Sequence, residues 1–462
     1  MHSFSREQKH ISIRSNVVQL HIDGLNSVGE GVGRLQGLAT FVPYALPSED
    51  IRARILEVKK TYARAELVEI LNPSVLRVKP PCPFYEACGG CQLQHLSYAG
   101  QLGEKRQRVV DAFQRIGGFQ DLEVLPTIPA KFPLRYRNKM QFPLGLSANG
   151  KVLVGCYAKG THRIIDAHTC LIQKKGNDEI AQAMREIAQK LHLPIYNEDK
   201  HRGILRHVMG RVGMNGEKMA VIVTATPNLP KGKQIVQMLR ARVPGLVSVQ
   251  QNIQTYHNNV ILGRETRLLW GKPVIHDRMG AFVFSISPRS FFQVHTEQAE
   301  ILYQKALEFA HLTGMETVLD AYCGTGTITL FLAKQARRAI GMEIVHSAIA
   351  DAKKNARENQ IKNAEFFVGD AKILMPRLYH QGLRPDVIVT DPPRAGSDAE
   401  VLQVFADMKP LRIIYVSCNP ATLARDAKIL QNLGYQPACV QPVDMFPQTS
   451  HVETVVRFEK QK

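Results

Sequence analysis

Apolar and polar positions alternate with a period of two over Val17-Val18-Gln19-Leu20-His21-Ile22 and Ile51-Arg52-Ala53-Arg54-Ile55-Leu56-Glu57-Val58, with Gly, Pro and Asp turns between them. Such alternation predicts half-buried strands, and residues 16–71 together predict a small all-β barrel. Gly29-Glu30-Gly31-Val32-Gly33 lies between strands and opens no helix, so these glycines are assigned to a turn or bulge and not to a dinucleotide loop. Pro80-Pro81-Cys82-Pro83 breaks the pattern. Residues 97–115 then predict a helix with a basic face, ended by Gly117-Gly118. Residues 133–289 are strand-rich again. Beyond Ser290 helices and strands alternate to the end: a helix over 296–312, a strand over 317–320, and later strands ending at Glu343, Asp370, Asp391 and Ser417.

A chain of 462 residues has room for about three domains. With 44% hydrophobic and 22% charged residues it has the composition of a soluble globular protein, so the charge is what calls for explanation. The 59 basic and 41 acidic residues leave a net charge of +18, which favours polyanions, nucleic acid before acidic membrane surfaces. Arg135, Arg137, Lys139, Lys151, Lys159, His162 and Arg163, interleaved with Tyr136, Phe142 and Tyr157, suit a surface that follows phosphates and stacks bases. Half-buried strands with charged outer faces would show the same pattern. No apolar run reaches the roughly 18 residues of a membrane span, and the segment from Met1 to Leu20 mixes charges where a leader would be apolar. A cytoplasmic location is expected. The eight cysteines are too sparse for a disulfide scaffold and are expected as free thiols, available for metal or catalysis.

Val318-Leu319-Asp320-Ala321-Tyr322-Cys323-Gly324-Thr325-Gly326-Thr327 reads as a buried strand, a Gly-rich turn and a helix start. The Gly-Lys-Ser/Thr ending of a P-loop is missing, which argues against ATP. The strand Arg338-Ala339-Ile340-Gly341-Met342-Glu343 ends in an acid, where a doubly wound fold meets ribose hydroxyls. Acids without a phosphate-binding lysine suit S-adenosylmethionine, a sulfonium cation without phosphates, better than NAD. Asp391-Pro392-Pro393-Arg394 follows another buried strand; amine methyltransferases place an aromatic where Arg394 stands, which weakens that reading. Cys418-Asn419-Pro420 follows the next strand, with Cys418 the candidate nucleophile. A thiolate that adds to pyrimidine C6 makes C5 nucleophilic, and a base must afterwards take the C5 proton. Glu453 and His451 are the candidate bases, and chemistry alone does not separate them.

Together with Ser290-Phe291-Phe292-Gln293-Val294 and Asp444-Met445-Phe446-Pro447, these motifs resemble the RNA uracil-C5 methyltransferase family, specifically its 23S ribosomal RNA branch with a TRAM barrel and an iron–sulfur cluster. The resemblance implies an α/β class I (Rossmann-like) methyltransferase domain, an N-terminal TRAM barrel of oligonucleotide-binding type, and an α+β iron–sulfur RNA-binding domain. It implies boundaries of 12–72 for the barrel, 75–95 with 132–288 for the central domain, and 96–131 with 289–462 for the catalytic domain. Cys418 is then the nucleophile and Glu453 the proton acceptor, while Gln293, Tyr322, Glu343 and Asp391, with Thr327 and Asp370 beside them, fall on donor-binding positions. Asp391 also lies where it could hydrogen-bond the uracil edge. Gln448 stands where many relatives have His, leaving Glu453 in register. Spacing alone leaves zinc and a [4Fe–4S] cluster open for Cys82, Cys88, Cys91 and Cys170; the resemblance favours the cluster. The implied partner is 23S ribosomal RNA, without a membrane, and the implied state a monomer. Two rivals stand beside this reading: a transfer-RNA uracil methyltransferase, whose branch is expected to lack the barrel and the cysteines, and a non-catalytic RNA-binding factor, which would be expected to have lost Cys418 or Glu453.

Overall fold

The structure, a computed structural model, describes residues 17–213 and 215–461. Residues 12–16 of the expected barrel domain and nearly all of the segment from Met1 to Leu20 lie outside the described residues.

Strands β1 (Val17–Leu25), β2 (Gly31–Leu35), β3 (Leu38–Val42), β4 (Asp50–Val58) and β5 (Tyr62–Asn72) close a barrel in the order β1-β2-β3-β5-β4. The period-two alternation turns Leu20, Ile22, Ile51, Ala53 and Ile55 inward. It turns Arg52 and Arg54 outward, 3.0 and 3.2 Å from Glu69 and Glu66 of the neighbouring strand. Gly33 sits opposite a bulge between Ile22 and Gly24, and a Cβ there would lie 2.5 Å from the His21 carbonyl oxygen.

Helix α1 (Tyr98–Ala112) begins at Ser97, whose hydroxyl accepts the Gly100 N–H. A π-helical turn, Phe113–Gly117, extends it to Gly118, which takes the left-handed conformation. The expected basic face is corrected at Lys105: its ammonium is buried 2.5 Å from Asp444 Oδ1, because this side of the helix packs on the C-terminal sheet and not on solvent.

The strand-rich middle contains β6 (Lys139–Leu146), β7 (Val152–Tyr157), β8 (Ile164–Asp166), α2 (Lys175–Lys190), β9 (Leu205–Val212), β10 (Lys218–Thr224), α3 (Gly232–Arg242), β11 (Leu246–Ile253) and β12 (Glu265–Gly271). Its strands form one sheet in the order β12-β11-β10-β9-β6-β7-β8. Ile180, Met184 and Ile187 of α2 and Ile235 and Leu239 of α3 are buried in that domain's apolar core. The hairpin β13 (Ile275–Met279) and β14 (Phe282–Ile286) leads out.

The last part alternates: α4 (Thr296–Ala310), β15 (Thr317–Asp320), α5 (Thr327–Ala333), β16 (Arg338–Glu343), α6 (His346–Glu358), β17 (Ala364–Val368), α7 (Ala371–His380), β18 (Val387–Thr390), α8 (Ala399–Asp407), β19 (Arg412–Ser417), α9 (Pro420–Asn432), β20 (Tyr435–Val443) and β21 (Glu453–Lys460). The sheet order is β17-β16-β15-β18-β19-β21-β20, with β15 to β19 parallel and β21 antiparallel to both its neighbours. Asp370 does not end a strand as expected: β17 stops at Val368, and Asp370 caps α7 by accepting the Lys372 N–H at 3.0 Å. Val109 and Phe113 share an apolar core with Leu423, Ala427 and Phe458, so α1 packs on the C-terminal sheet despite more than 300 residues of separation. Bridges from Val124 to Val440 and Ile128 to Val443 add the segment after α1 to the same sheet edge.

Candidate functional site

The strand order reverses beside β15, and its carboxyl end opens into the crevice where ligands of open α/β sheets bind. Gly324 and Gly326, with φ of 54° and 82°, carry the turn from β15 into α5. A Cβ on Gly326 would press to 3.0 Å on Ala352 and Phe366. Asp320 Oδ2 accepts the Thr329 hydroxyl at 2.6 Å, while its buried Oδ1 has no partner. Burial raises this carboxyl to about 7, with Asp391 and Glu343 adding to the effect. Glu343 ends β16 and accepts the Val345 N–H at 2.9 Å. Tyr303, a fully buried phenol, lies within the influence of Gln293 and Thr327 and also feels Asp391 and Glu453. Tyr322 hydrogen-bonds Ser397 and feels Asp370. The unpartnered Asp320 oxygen, the acidic rim and the close turn fit a cationic, phosphate-free nucleoside such as S-adenosylmethionine.

The catalytic candidates meet on the same rim through strand register. Ser417 pairs with Thr454 across the antiparallel β19–β21 ladder, so one step on Cys418 stands opposite Glu453. The charges of Glu453 and Asp391 act on the Cys418 thiol, which burial first and these carboxylates second raise to about 11; Arg394 opposes them. Burial raises both Asp391 and Glu453, and for Glu453 the charge of Asp391 adds to it. His451 is lowered to about 4, first by burial and then by Arg394.

These shifts set a pH dependence. Glu453 titrates at about 8 and can accept a proton only when ionised, so a reaction using it as base gains rate as pH rises through that value. Turnover at saturating substrates is expected to increase from about pH 6 to about pH 9, and a flat profile across that window would count against Glu453. The Cys418 shift acts in the same direction, because the thiolate is the nucleophile.

A cavity of about 450 Å³ opens elsewhere, lined by Thr317, Arg338 and Leu383. It lies at the amino end of β15 and β16, away from the acids.

Four cysteines singled out from the sequence lie near one another: the Cys91 thiol feels Cys170, Cys88 and Cys82. A fifth, Cys156, lies close enough to Cys88 for each thiol to shift the other, and the approach follows from the bridge between Cys88 and Ala158 just past β7. Sequence spacing gave no sign of Cys156, which lies next to the last residue of β7 and outside any close Cys spacing. Soft thiol donors suit iron or zinc. Among the described residues, however, no three His, Cys, Asp or Glu side chains stand in an arrangement able to hold a metal ion.

Sequence reasoning passed over Tyr303, which lies mid-helix without a motif around it, whereas the acid closing the first buried strand, Asp320, was part of the sequence signal. The basic cluster needs correction. Arg135 pairs with Asp178 at 2.6 Å and donates to the Cys170 carbonyl at 2.9 Å, and Lys139 is buried enough to titrate at about 8. Neutralising Arg135, Arg137 and Lys139 together would therefore disturb the fold as well as any RNA contact.

An acid-lined switch point in a Rossmann-like sheet, preceded by a barrel of nucleic-acid-binding type, defines an S-adenosylmethionine-dependent methyltransferase acting on RNA. Residues 264–461 match the tRNA (uracil-5-)-methyltransferase family and residues 15–68 the TRAM domain. An uncharacterized RNA methyltransferase of Halalkalibacterium halodurans is 47% identical over 456 residues, covering 98% of this chain and 99% of that one. One from Clostridium tetani is 46% identical, covering 97% and 98%. The solved structure of the Pyrococcus abyssi tRNA (uracil-54, C5)-methyltransferase in complex with S-adenosyl-L-homocysteine superposes with a TM-score of 0.77 at 30% identity, covering 97% of this chain and all of that one. The chain belongs to the TRAM-containing RNA uracil-5-methyltransferase family.

The last comparison overturns one expectation. A tRNA enzyme that matches 97% of this chain spans the barrel as well, so the barrel does not separate the two substrates.

Proposed function

We propose that this enzyme methylates C5 of a uridine in 23S ribosomal RNA, giving 5-methyluridine, with Cys418 as nucleophile and Glu453 as base. The observation that carries the chemistry is the β19–β21 register, which sets Cys418 opposite Glu453 beside the acid-lined crevice. S-adenosylmethionine, when bound, supplies an electrophilic methyl group. Gln293, Tyr322, Thr327, Glu343, Asp370 and Asp391 hold that donor, through the acids and turn already described. The target base must leave its stack, since C6 is reached only from a ring face. Cys418 adds to C6 as its thiolate, the C5 carbanion takes the methyl as the sulfonium S–CH3 bond breaks and S-adenosylhomocysteine is left, Glu453 removes the C5 proton, and Cys418 departs as thiolate, closing the balance of atoms and charge. Asp391 is the hydrogen-bond partner for the uracil edge. The barrel and central sheet grip phosphates, and the protein works as a cytoplasmic monomer.

A second reading, transfer RNA as substrate, is favoured by the full-length likeness to the Pyrococcus abyssi enzyme. The two are separated by giving purified protein a labelled methyl donor with a 23S transcript or with tRNA lacking 5-methyluridine. Label in 23S uridine is expected; label in tRNA alone would reassign the substrate.

We further propose that Cys82, Cys88, Cys91 and Cys170 hold a [4Fe–4S] cluster that orders the central domain. The Cys88-x2-Cys91 spacing with Cys82 and Cys170, and the softness of four thiol donors, support the donor set. Anaerobically purified protein is expected to contain about four irons and four sulfides per chain. Stoichiometric zinc without iron would refute the cluster.

A further inference from the structure

The loop 444–452 joins β20 to β21 and delivers Glu453, and its anchors come from every other part of the chain. Lys105 donates to Asp444 at 2.5 Å and to the Phe446 carbonyl at 3.0 Å. Tyr136 of the central domain donates to the Pro447 carbonyl at 3.0 Å, and Ser450 donates to the Ser27 carbonyl of the barrel at 3.2 Å. The densest set falls on Gln448, which is buried and holds φ at +71°. Its N–H donates to Gln101 Oε1 at 2.9 Å and its Oε1 accepts from Gln101 Nε2 at 3.1 Å. Its carbonyl accepts the N–H groups of both Gln92 and Leu93 at 3.0 Å. Gln92 follows Cys91 directly, and its side-chain oxygen accepts the Ser450 N–H at 3.4 Å.

We propose that Gln448, clamped by Gln101 and by the amides of Gln92 and Leu93, is a positioning residue for proton removal, and that it makes the cysteine-bearing segment 88–94 a control element for that step. The inference rests on Glu453 being the base. A left-handed backbone at a residue other than glycine persists only where its surroundings hold it. Releasing the clamp lets the loop relax, and Glu453 lies five residues on. Displacement of a catalytic group by about 1 Å is enough to slow its step by up to about 100-fold. None of Gln293, Tyr322, Thr327, Glu343, Asp370 and Asp391 belongs to this contact set, so donor affinity should stay as it is.

The test uses Gln101→Met, which keeps the volume and removes both side-chain contacts to Gln448 together with the bonds to the Leu93 and Leu96 carbonyls, and, should it fail to fold, Gln92→Ala at a half-buried position, which removes the tie from segment 88–94 to the Ser450 N–H. The probe is total RNA from a strain deleted for the gene, labelled with tritium at uridine C5, with S-adenosylmethionine. About tenfold slower tritium release is expected, with a covalent methylated RNA–protein adduct accumulating. Affinity for S-adenosylhomocysteine should be unchanged, and amide exchange across 444–453 should be faster. A merely structural role would lower the melting temperature without accumulating adduct. Folded variants with wild-type tritium release, or with slow turnover and no adduct, would overturn the proposal. Glu453→Gln run alongside separates the two claims: lost activity there without adduct removes the base assignment, whereas adduct there with unaltered Gln101→Met kinetics removes only the clamp.

Discussion

Cys418→Ala is expected to abolish methyl transfer, lowering turnover by at least about 1,000-fold while leaving donor affinity within about twofold of wild type. C5 of uracil is a poor nucleophile until a bond forms at C6, and a thiolate is the side-chain group suited to forming and later releasing that bond. The position is built for this task. Cys418 leaves β19 directly ahead of α9, whose first turn is capped by Asn419 accepting the Ala421 N–H, with Pro420 at the helix start. The helix N-terminus and Arg394 favour the thiolate, while burial and two carboxylates oppose it. In the protein alone, burial and the carboxylates outweigh Arg394 and the thiol stays above its ordinary range. Turnover by Cys418→Ala at the wild-type rate would end the covalent mechanism.

Glu453→Gln is expected to stall the reaction after methyl transfer. The amide keeps the shape and the buried contacts but cannot take the C5 proton, so Cys418 has no route out. Proton removal should slow by about 100- to 10,000-fold, and a covalent complex of methylated RNA and protein should appear on a denaturing gel. The adduct should need Cys418, vanishing in the double variant. Loss of activity with no adduct would pass the base role to another group, His451 being the nearest in sequence.

Much of this arrangement was legible in the chain itself, and the reasons differ by element. The barrel showed because its strands are buried on one face only, so Leu20, Ile22, Ile51, Ala53 and Ile55 mark every second position. The catalytic sheet showed because β15, β18 and β19 are short apolar runs that end in chemistry: Asp320, Asp391 and Cys418 stand at or just past their carboxyl ends. Facts that depend on long-range pairing were hidden. That Lys105 faces Asp444 instead of solvent follows from a contact across 339 residues. That Cys156 meets Cys88 follows from a strand bridge, and that Arg135 serves Asp178 instead of RNA follows from the packing of α2. None of these leaves a periodic trace. The net charge of +18 predicted a polyanion, but which cations meet it is decided by the fold.

The most direct test of the central claim is mass-spectrometric mapping of 5-methyluridine in 23S ribosomal RNA and tRNA from a deletion strain, complemented in parallel with the wild-type gene and with Cys418→Ala. One or more 5-methyluridines should disappear from 23S RNA in the deletion strain, return with the wild-type gene and stay absent with Cys418→Ala. An unchanged 23S map, or a loss confined to tRNA, would contradict the account.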